Sequence, residues 1–378
     1  MKIAFLIRYF EPGVGGAENN CYYLARELAK DKKNDVHIFC SNKEEKEEII
    51  DNIKIHKCKE VLGITYYLAF YPSITKKIIN LKPDILHVHG FGFIQNDISI
   101  KEIKNKFPKT KLVCTPHGPF MALKNYSLPK RIIKSIYIRF IRKNLKMYDK
   151  IIQVNPHQES WMKKEYGIPK DKIEFLPNGV PEELFRVKDK KEIKRLKKKY
   201  ELNGKKIITY LGRIQEYKGI DQIIEALPDL DKNTVFIGMG KNSGDKERLN
   251  KLSKQKGVEE RVIFPGKVSE KEKLAFLDIS DVFVFPSEWE AFGIVILEAM
   301  ARGNAVVSTK TEGGKYLVNK ENGYVYNFGD ISRLREILLR LLRNKKELKS
   351  MKRNNLQKSK KYKWNRIVKD LVKIYKNA

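Results

Sequence analysis

Short apolar runs alternate with amphipathic helical stretches from one end of the chain to the other. Lys2 to Ile7, Val36 to Phe39, Ile85 to His89, Lys111 to Cys114 and Lys150 to Val154 are strand-sized. Their near-continuous apolar character marks strands covered on both faces of one doubly wound parallel sheet. A second series, Ile207 to Leu211, Thr234 to Ile237, Val262 to Phe264, Val282 to Phe285 and Ala305 to Thr309, repeats the arrangement. Between them lie the turn Asn178-Gly179-Val180-Pro181 and the basic stretch Arg186 to Tyr200, which place the boundary near Gly179 to Phe185. The pattern predicts an α/β protein of two similar halves, 1–182 and 183–362, with a cleft between them. From Arg333 to Tyr375 the chain reads as helical, and Trp364, Ile367, Leu371 and Ile374 give the last helix an apolar face that needs a surface.

Composition narrows the class without choosing it. With 378 residues and 42% hydrophobic content, the chain has enough apolar surface for full cores, which excludes disordered and collagen-like classes. No apolar run reaches the roughly 18–20 residues of a membrane-spanning helix. Met1 to Ile7 runs into Arg8 and a glycine loop with no small-residue cleavage site, so it reads as a buried strand rather than a signal segment. Cys21, Cys40, Cys58 and Cys114 form no CxxC pair and no metal-finger spacing, as expected of reduced thiols in a cytoplasmic protein. The net charge of +31 adds a question of partner, which two basic clusters sharpen.

Candidate chemistry gathers where strand signals give way to glycine. After the first strand, Glu11-Pro12-Gly13-Val14-Gly15-Gly16-Ala17-Glu18 leads into a helix, so backbone amides meet a helix N-terminus, a geometry suited to phosphate. The spacing is not the dinucleotide fingerprint, and such a turn also serves as a plain strand-to-helix connector. Gly212-Arg213 follows Ile207 to Leu211, and Lys218-Gly219 comes five residues later. An arginine fork and a lysine point charge there could clamp a diphosphate without a metal. Gly238-Met239-Gly240-Lys241 continues with Asn242 and does not complete a Walker loop. The stretch Pro286 to Ala301 places Glu290 at a strand end and Glu298 eight positions on, along a helix expected to begin near Phe292, so that both carboxylates can face one ligand edge.

These residues resemble a known family. Pro286-Ser287-x-x-Glu290-x-Phe292-Gly293, seven residues between the two glutamates, and Gly303-x-x-Val306-Val307 are similar to the retaining GT-B glycosyltransferases of family four. The likeness extends in order through Gly15-Gly16, Thr115-Pro116-His117-Gly118, Pro177-Asn178-Gly179-Val180, Gly212-Arg213, Lys218-Gly219, Pro265-Gly266, Gly313-Gly314 and Asn322-Gly323. It implies two facing Rossmann-like domains, a nucleotide-sugar donor (UDP- or GDP-linked) on the second, an acceptor on the first, and a last helix at about 363–378 returning to the first. By position it implies that Arg213 and Lys218 bind the diphosphate, Glu298 the ribose and Glu290 the transferred sugar. Amides of Phe292, Gly293 and Ile294 would add contacts, Gly15 and Gly16 would approach the phosphates, and His117 would lie beside the sugar. The acceptor would be a glycan, a lipid-linked or a small-molecule hydroxyl. Ala291, where the family often has glycine, and Lys315-Tyr316, where an acid is common, leave the sugar open. The competing enzyme classes are a GT-B phosphorylase and a sugar-nucleotide epimerase.

No metal or other cofactor is expected. His87 and His89, at one strand end, are read as facing opposite sides of the sheet, which leaves no shared metal site. From Lys124 to Lys150 nine basic residues face the single acid Asp149, and Ile132, Ile133, Ile136, Tyr137 and Phe140 recur on one helical face. Between Lys130 and Lys150 this suggests peripheral contact with an anionic membrane at its inner face. The plainer alternative packs that apolar face on its own sheet. A basic nucleic-acid-binding protein on a transferase scaffold is the non-enzymatic alternative, and no helix-turn-helix, zinc-finger or RNP pattern supports it.

Overall fold

The computed structural model describes residues 1–12, 15–119 and 128–378, the side chains of 129 and 130 excepted. Gly13 and Val14 of the glycine turn, and Lys124 and the Lys130 side chain of the basic cluster, therefore lie outside the described residues. The chain divides into two compact units, Met1–Gly179 with Trp364–Ala378, and Val180–Lys363.

The strands of the first unit are β1 (Lys2–Ile7), β2 (Asp35–Asn42), β3 (Lys46–Ile50), β4 (Ile53–Lys59), β5 (Leu62–Gly63), β6 (Ala69–Phe70), β7 (Ile85–His89), β8 (Lys111–Thr115), β9 (Lys150–Gln153) and β10 (Ile173–Phe175). Its helices begin with α1 (Gly16–Ala29), α2 (Ser73–Leu81), α3 (Ile94–Lys106), α4 (Leu128–Leu145) and α5 (Glu159–Lys164). Eight strands form one sheet in the order β10-β9-β8-β7-β1-β2-β4-β3, and β5 pairs only with β6. Every pair in the large sheet is parallel except β3 with β4. The central strands are buried on both faces, as their apolar runs require. Beside them, β4 buries Ile53 and Ile55 on one face and Cys58 on the other, with Lys54 and Lys59 exposed, and β3 closes the edge with charged residues. Glu48 of β3 pairs with Lys57 of β4 at 3.0 Å, so that edge is held partly by cross-strand charge.

The second unit contains β11 (Lys206–Leu211), β12 (Thr234–Met239), β13 (Val262–Gly266), β14 (Val282–Phe285), β15 (Ala305–Thr309) and β16 (Gly323–Tyr326) in one parallel sheet, ordered β13-β12-β11-β14-β15-β16. Its helices are α6 (Lys190–Lys199), α7 (Asp221–Ala226), α8 (Lys246–Gln255), α9 (Glu270–Ile279), α10 (Ile294–Ala301), α11 (Glu312–Leu317), α12 (Ile331–Arg343) and α13 (Lys345–Ser359). The last helix, α14 (Trp364–Asn377), returns to the first unit, where Trp364, Ile367, Leu371, Ile374 and Tyr375 join one core cluster with Ile3, Phe5, Leu24 and Val113. Trp364 stacks on Tyr23 with ring centroids 5.7 Å apart, which supplies the surface its apolar face needs.

Each sheet has a point where strand order reverses: between β1 and β7 in the first unit, and between β11 and β14 in the second. Open parallel sheets bind ligands in the crevice beyond the carboxyl ends of the strands at such points. The glycine and acidic segments picked out in the sequence follow these four strands or their neighbours.

Candidate functional site

In the second unit, the loops that leave β11 and β14 are fastened to each other. The Glu288 amide donates to the Tyr217 carbonyl at 2.8 Å, and Gln222 Nε2 donates to the Pro286 carbonyl at 3.1 Å. Across this join, Lys218 Nζ pairs with Glu290 Oε2 at 3.0 Å. Lys218 is only 8% exposed, lying over the rings of Tyr217 and Phe285. Burial disfavours its charge, but the Glu290 carboxylate and Tyr217 outweigh that and hold the ammonium above the ordinary lysine range. Arg213, by contrast, is exposed, and its guanidinium donates to the Tyr217 hydroxyl at 3.0 Å. The loop thus carries a fixed buried cation and an exposed arginine, with one tyrosine touching both.

Gly219 makes the fastening sterically feasible. It sits in the left-handed region at φ +63°, and a Cβ there would collide with the Pro286 carbonyl oxygen and come within 2.8 Å of the Phe328 ring. Gly219→Ala is expected to cost about 1–3 kcal/mol, combining backbone strain with overpacking. A lowered urea midpoint would show it, and an unchanged midpoint would mean the loop yields.

After β14 the chain runs through Glu290, Ala291 and buried Phe292 to Gly293, which is left-handed at φ +79° and precedes α10. The helix begins at Ile294, two residues later than the sequence suggests, because Gly293 forms its cap. The Ile296 amide turns back to the Gly293 carbonyl at 2.8 Å, while the amides of Ile294 and Val295 have no acceptor one turn back within the helix. The Gly313 amide donates to the Glu290 carbonyl at 3.3 Å, which braces the segment from α11.

Glu298 does not share a partner with Glu290. Its carboxylate pairs with Lys273 of α9 at 3.4 Å, and Lys273 also reaches Glu270 at 2.8 Å. Burial pushes the Glu298 carboxyl above its ordinary range despite the lysine. For Lys273 burial acts the other way, and Glu298 and Glu270 outweigh it to raise the ammonium. Each glutamate thus has its own lysine. The sequence reading missed Lys273, one lysine on a helix in a lysine-rich chain, and it missed Tyr217, although Tyr217 stands between the two cations it did name.

In the first unit, Gly15 is the extended N-cap residue of α1 and Gly16 opens the helix, at the carboxyl end of β1. His117 follows β8 in the left-handed region at φ +61°. A non-glycine residue held there is strained, and such strain concentrates at functional positions. His117 Nε2 lies 2.9 Å from His89 Nδ1, so one ring donates to the other. His87 Nδ1 meets the Tyr375 hydroxyl of α14 at 2.7 Å, and its Nε2 meets the Thr115 hydroxyl at 2.8 Å. His87 and His89 stack with centroids 4.6 Å apart, on one face of the sheet. The expected opposite orientation is therefore wrong: residues two apart on a strand share a face. Among the described residues no cluster of histidine, cysteine or acidic side chains is arranged to hold a metal.

Burial lowers the pKa of His87 to about 3 and that of His117 to about 4, and depresses His89 as well. The unfolded chain titrates these rings near pH 6.5. The folded state therefore binds fewer protons, and the stability they contribute is complete above about pH 6.5 and lost as pH falls toward 4 and 3. Each contributes a slope of up to about 1.4 kcal/mol per pH unit in that window. In His87→Phe, stability from urea melts between pH 4.5 and 6 should vary less steeply by about that amount, and an unchanged slope would contradict a neutral buried His87.

Comparison with known proteins decides the class. Residues 14–184 match the family described as Glycosyltransferase Family 4, and residues 192–358 match Glycosyl transferases group 1. The chain belongs to the family 4-like glycosyltransferases of GT-B fold. An uncharacterized glycosyltransferase of Methanocaldococcus jannaschii is 27% identical over 99% of this chain and 98% of its own length. A phosphatidyl-myo-inositol mannosyltransferase of Mycobacterium leprae is 27% identical over 69% of this chain and 68% of its own. The structure of Anabaena HepE in complex with UDP superposes with a TM-score of 0.80 at 17% identity, over the full length of both chains, and shares the fold. Among the glycosyltransferase's described residues, no helix is long and apolar enough to cross a membrane.

Proposed function

We propose that this glycosyltransferase takes its sugar from a UDP- or GDP-linked donor bound on the second unit and transfers it, with retention, to a hydroxyl of a glycan, lipid-linked or small-molecule acceptor. The observation that carries this reading is the pair of buried Lys218 with half-buried Glu290 at the strand-order reversal, with Arg213 on the same loop as the lysine. Lys218 and Arg213 neutralise the diphosphate, Glu290 holds sugar hydroxyls, Glu298 holds the ribose, and the amides of Phe292, Gly293 and Ile294 meet sugar and phosphate. From the first unit, the family resemblance assigns Gly15 and Gly16 to the phosphates and His117 to the sugar. Anabaena HepE, solved with UDP, supports a uridine donor, and the relative named for phosphatidylinositol supports a lipid acceptor.

In the reaction, the bond from the sugar C1 to the β-phosphate oxygen breaks while the acceptor oxygen bonds to C1 on the same face. The acceptor proton passes to the departing phosphate oxygen. Charge separates between an oxocarbenium-like sugar and a diphosphate, so fixed cations contribute most, at about 3 kcal/mol for a well-placed contact. Glu290 is engaged with Lys218 and serves as a hydroxyl acceptor rather than a nucleophile. A glycosyl adduct trapped on Glu290 during turnover would contradict front-face attack. The four free cysteines are buried, which fits work in a reducing cytoplasm.

Thermal melting with UDP, GDP and ADP, each with and without its common sugars, identifies the base. A ligand at about 100 times its dissociation constant adds roughly 2.7 kcal/mol of stability. One nucleotide is expected to stabilise the chain alone, and no shift with any of them would overturn the donor assignment.

A further inference from the structure

Helix α4 has two apolar faces, and the fold uses one. Ile141 and Leu145 are buried in a core cluster with Leu86, Val88, Leu112 and Cys114, and Tyr137 and Ile138 pack against it. At about 100° of turn per residue, Ile132, Ile133, Ile136 and Phe140 fall on the other side. They are 54%, 59%, 54% and 64% exposed. The sequence pattern places Tyr137 on the same face as these four. Instead Tyr137 turns inward, its hydroxyl donating to the Gly92 carbonyl at 2.6 Å, and the four-residue stripe is left in water. A contiguous apolar stripe of this kind marks an interaction surface.

The charge beside it indicates the partner. Arg139 and Lys146 lie along one border of the stripe, and Lys143 continues its line by one turn; all three are exposed. Helix α4 has no acidic residue, and Asp149 beyond its end pairs with Lys104 at 3.3 Å. A second copy of this chain would set these cations against one another in a molecule of net charge +31, which disfavours self-association. An anionic bilayer satisfies both features: aliphatic and aromatic side chains enter the acyl boundary while arginine and lysine stay among the phosphates.

We infer that the exposed face of α4 docks the enzyme on an anionic lipid surface, with Ile132, Ile133, Ile136 and Phe140 inserted. This deepens the proposed function and rests on it only for the acceptor, of whose three classes the lipid-linked one is favoured.

The test is flotation of the full chain with vesicles of phosphatidylglycerol and phosphatidylcholine, and with phosphatidylcholine alone, at about 0.1 M salt and without any donor. Wild type should float with the anionic vesicles and scarcely with the neutral ones. Ile136→Ser/Phe140→Ser should bind at least about tenfold more weakly. Arg139→Ala/Lys143→Ala should lose about 25-fold, at about fivefold per charge near the surface. Val187→Ser, which removes an apolar side chain 93% exposed in the second unit, should bind as wild type does. All five side chains are exposed, so unchanged melting serves as the folding control. Absence of flotation by wild type, or equal flotation by the stripe variants, would overturn the inference. A dimer in sedimentation that Ile136→Ser/Phe140→Ser dissociates would reassign the face to a second copy. Flotation without any nucleotide-induced melting shift would refute the donor reading and leave the lipid surface standing; the converse would do the reverse.

Discussion

Glu290→Ala is expected to lower sugar transfer at least a hundredfold while binding of the free nucleoside diphosphate stays as tight as in wild type or becomes tighter. The two effects separate because Glu290 has two jobs. In the proposed function it holds the transferred sugar, worth about 3 kcal/mol in the transition state by analogy with other preorganised contacts. Before the donor arrives it also occupies Lys218 at 3.0 Å, so it competes with the phosphate for that ammonium. With the carboxylate gone, Lys218 is left buried beside Tyr217 and Phe285, and an incoming diphosphate becomes its counter-ion. The unliganded variant should lose about 1–3 kcal/mol of stability for the same reason. Glu290→Gln, which keeps an acceptor oxygen, should recover part of the stability and little of the rate. The checks are initial-rate measurement with titration calorimetry on the same preparations. Full turnover by Glu290→Ala would remove the residue from the sugar site.

Lys218→Ala and Arg213→Ala should each weaken diphosphate binding about 10- to 100-fold, the worth of one charge-assisted hydrogen bond of about 1.5–3 kcal/mol. Their costs to the fold differ. Arg213 is exposed and its loss should leave the melting temperature unchanged, whereas loss of Lys218 strands the Glu290 carboxylate in a partly buried position. Arg213→Lys should rescue poorly, because a point charge does not reproduce the guanidinium fork or the bond it donates to the Tyr217 hydroxyl. Unchanged affinity in both variants would place the phosphates elsewhere.

The middle of each sheet was readable because strands covered on both faces need apolar runs, and Lys2–Ile7, Ile85–His89, Val282–Phe285 and Ala305–Thr309 stand where those runs predict. The edges were less readable. β4 alternates isoleucine with lysine, β3 is carried by charged residues, and β16 is a four-residue strand after a turn, so none has the expected continuous apolar signal. Arg213, Lys218 and Glu290 were visible through their spacing from strand ends. Pairing was not: which lysine each glutamate meets depends on how α9 packs beside α10, and no local pattern encodes it. Helix α4 shows a different limit. Its hydrophobic periodicity announced one apolar face, but two exist, and only packing against β7 and β8 distinguishes the buried one from the exposed one.

The most direct test of a diphosphate site on the second unit is titration calorimetry of the nucleoside diphosphate and its monophosphate into wild type and into Arg213→Ala/Lys218→Ala, all in excess chelator. If Arg213 and Lys218 clamp the terminal phosphate as proposed, the diphosphate should bind at least about tenfold more tightly than the monophosphate in wild type, with that difference lost in the double variant. Equal affinities for the two nucleotides in wild type, or a preference that survives loss of both cations, would contradict it.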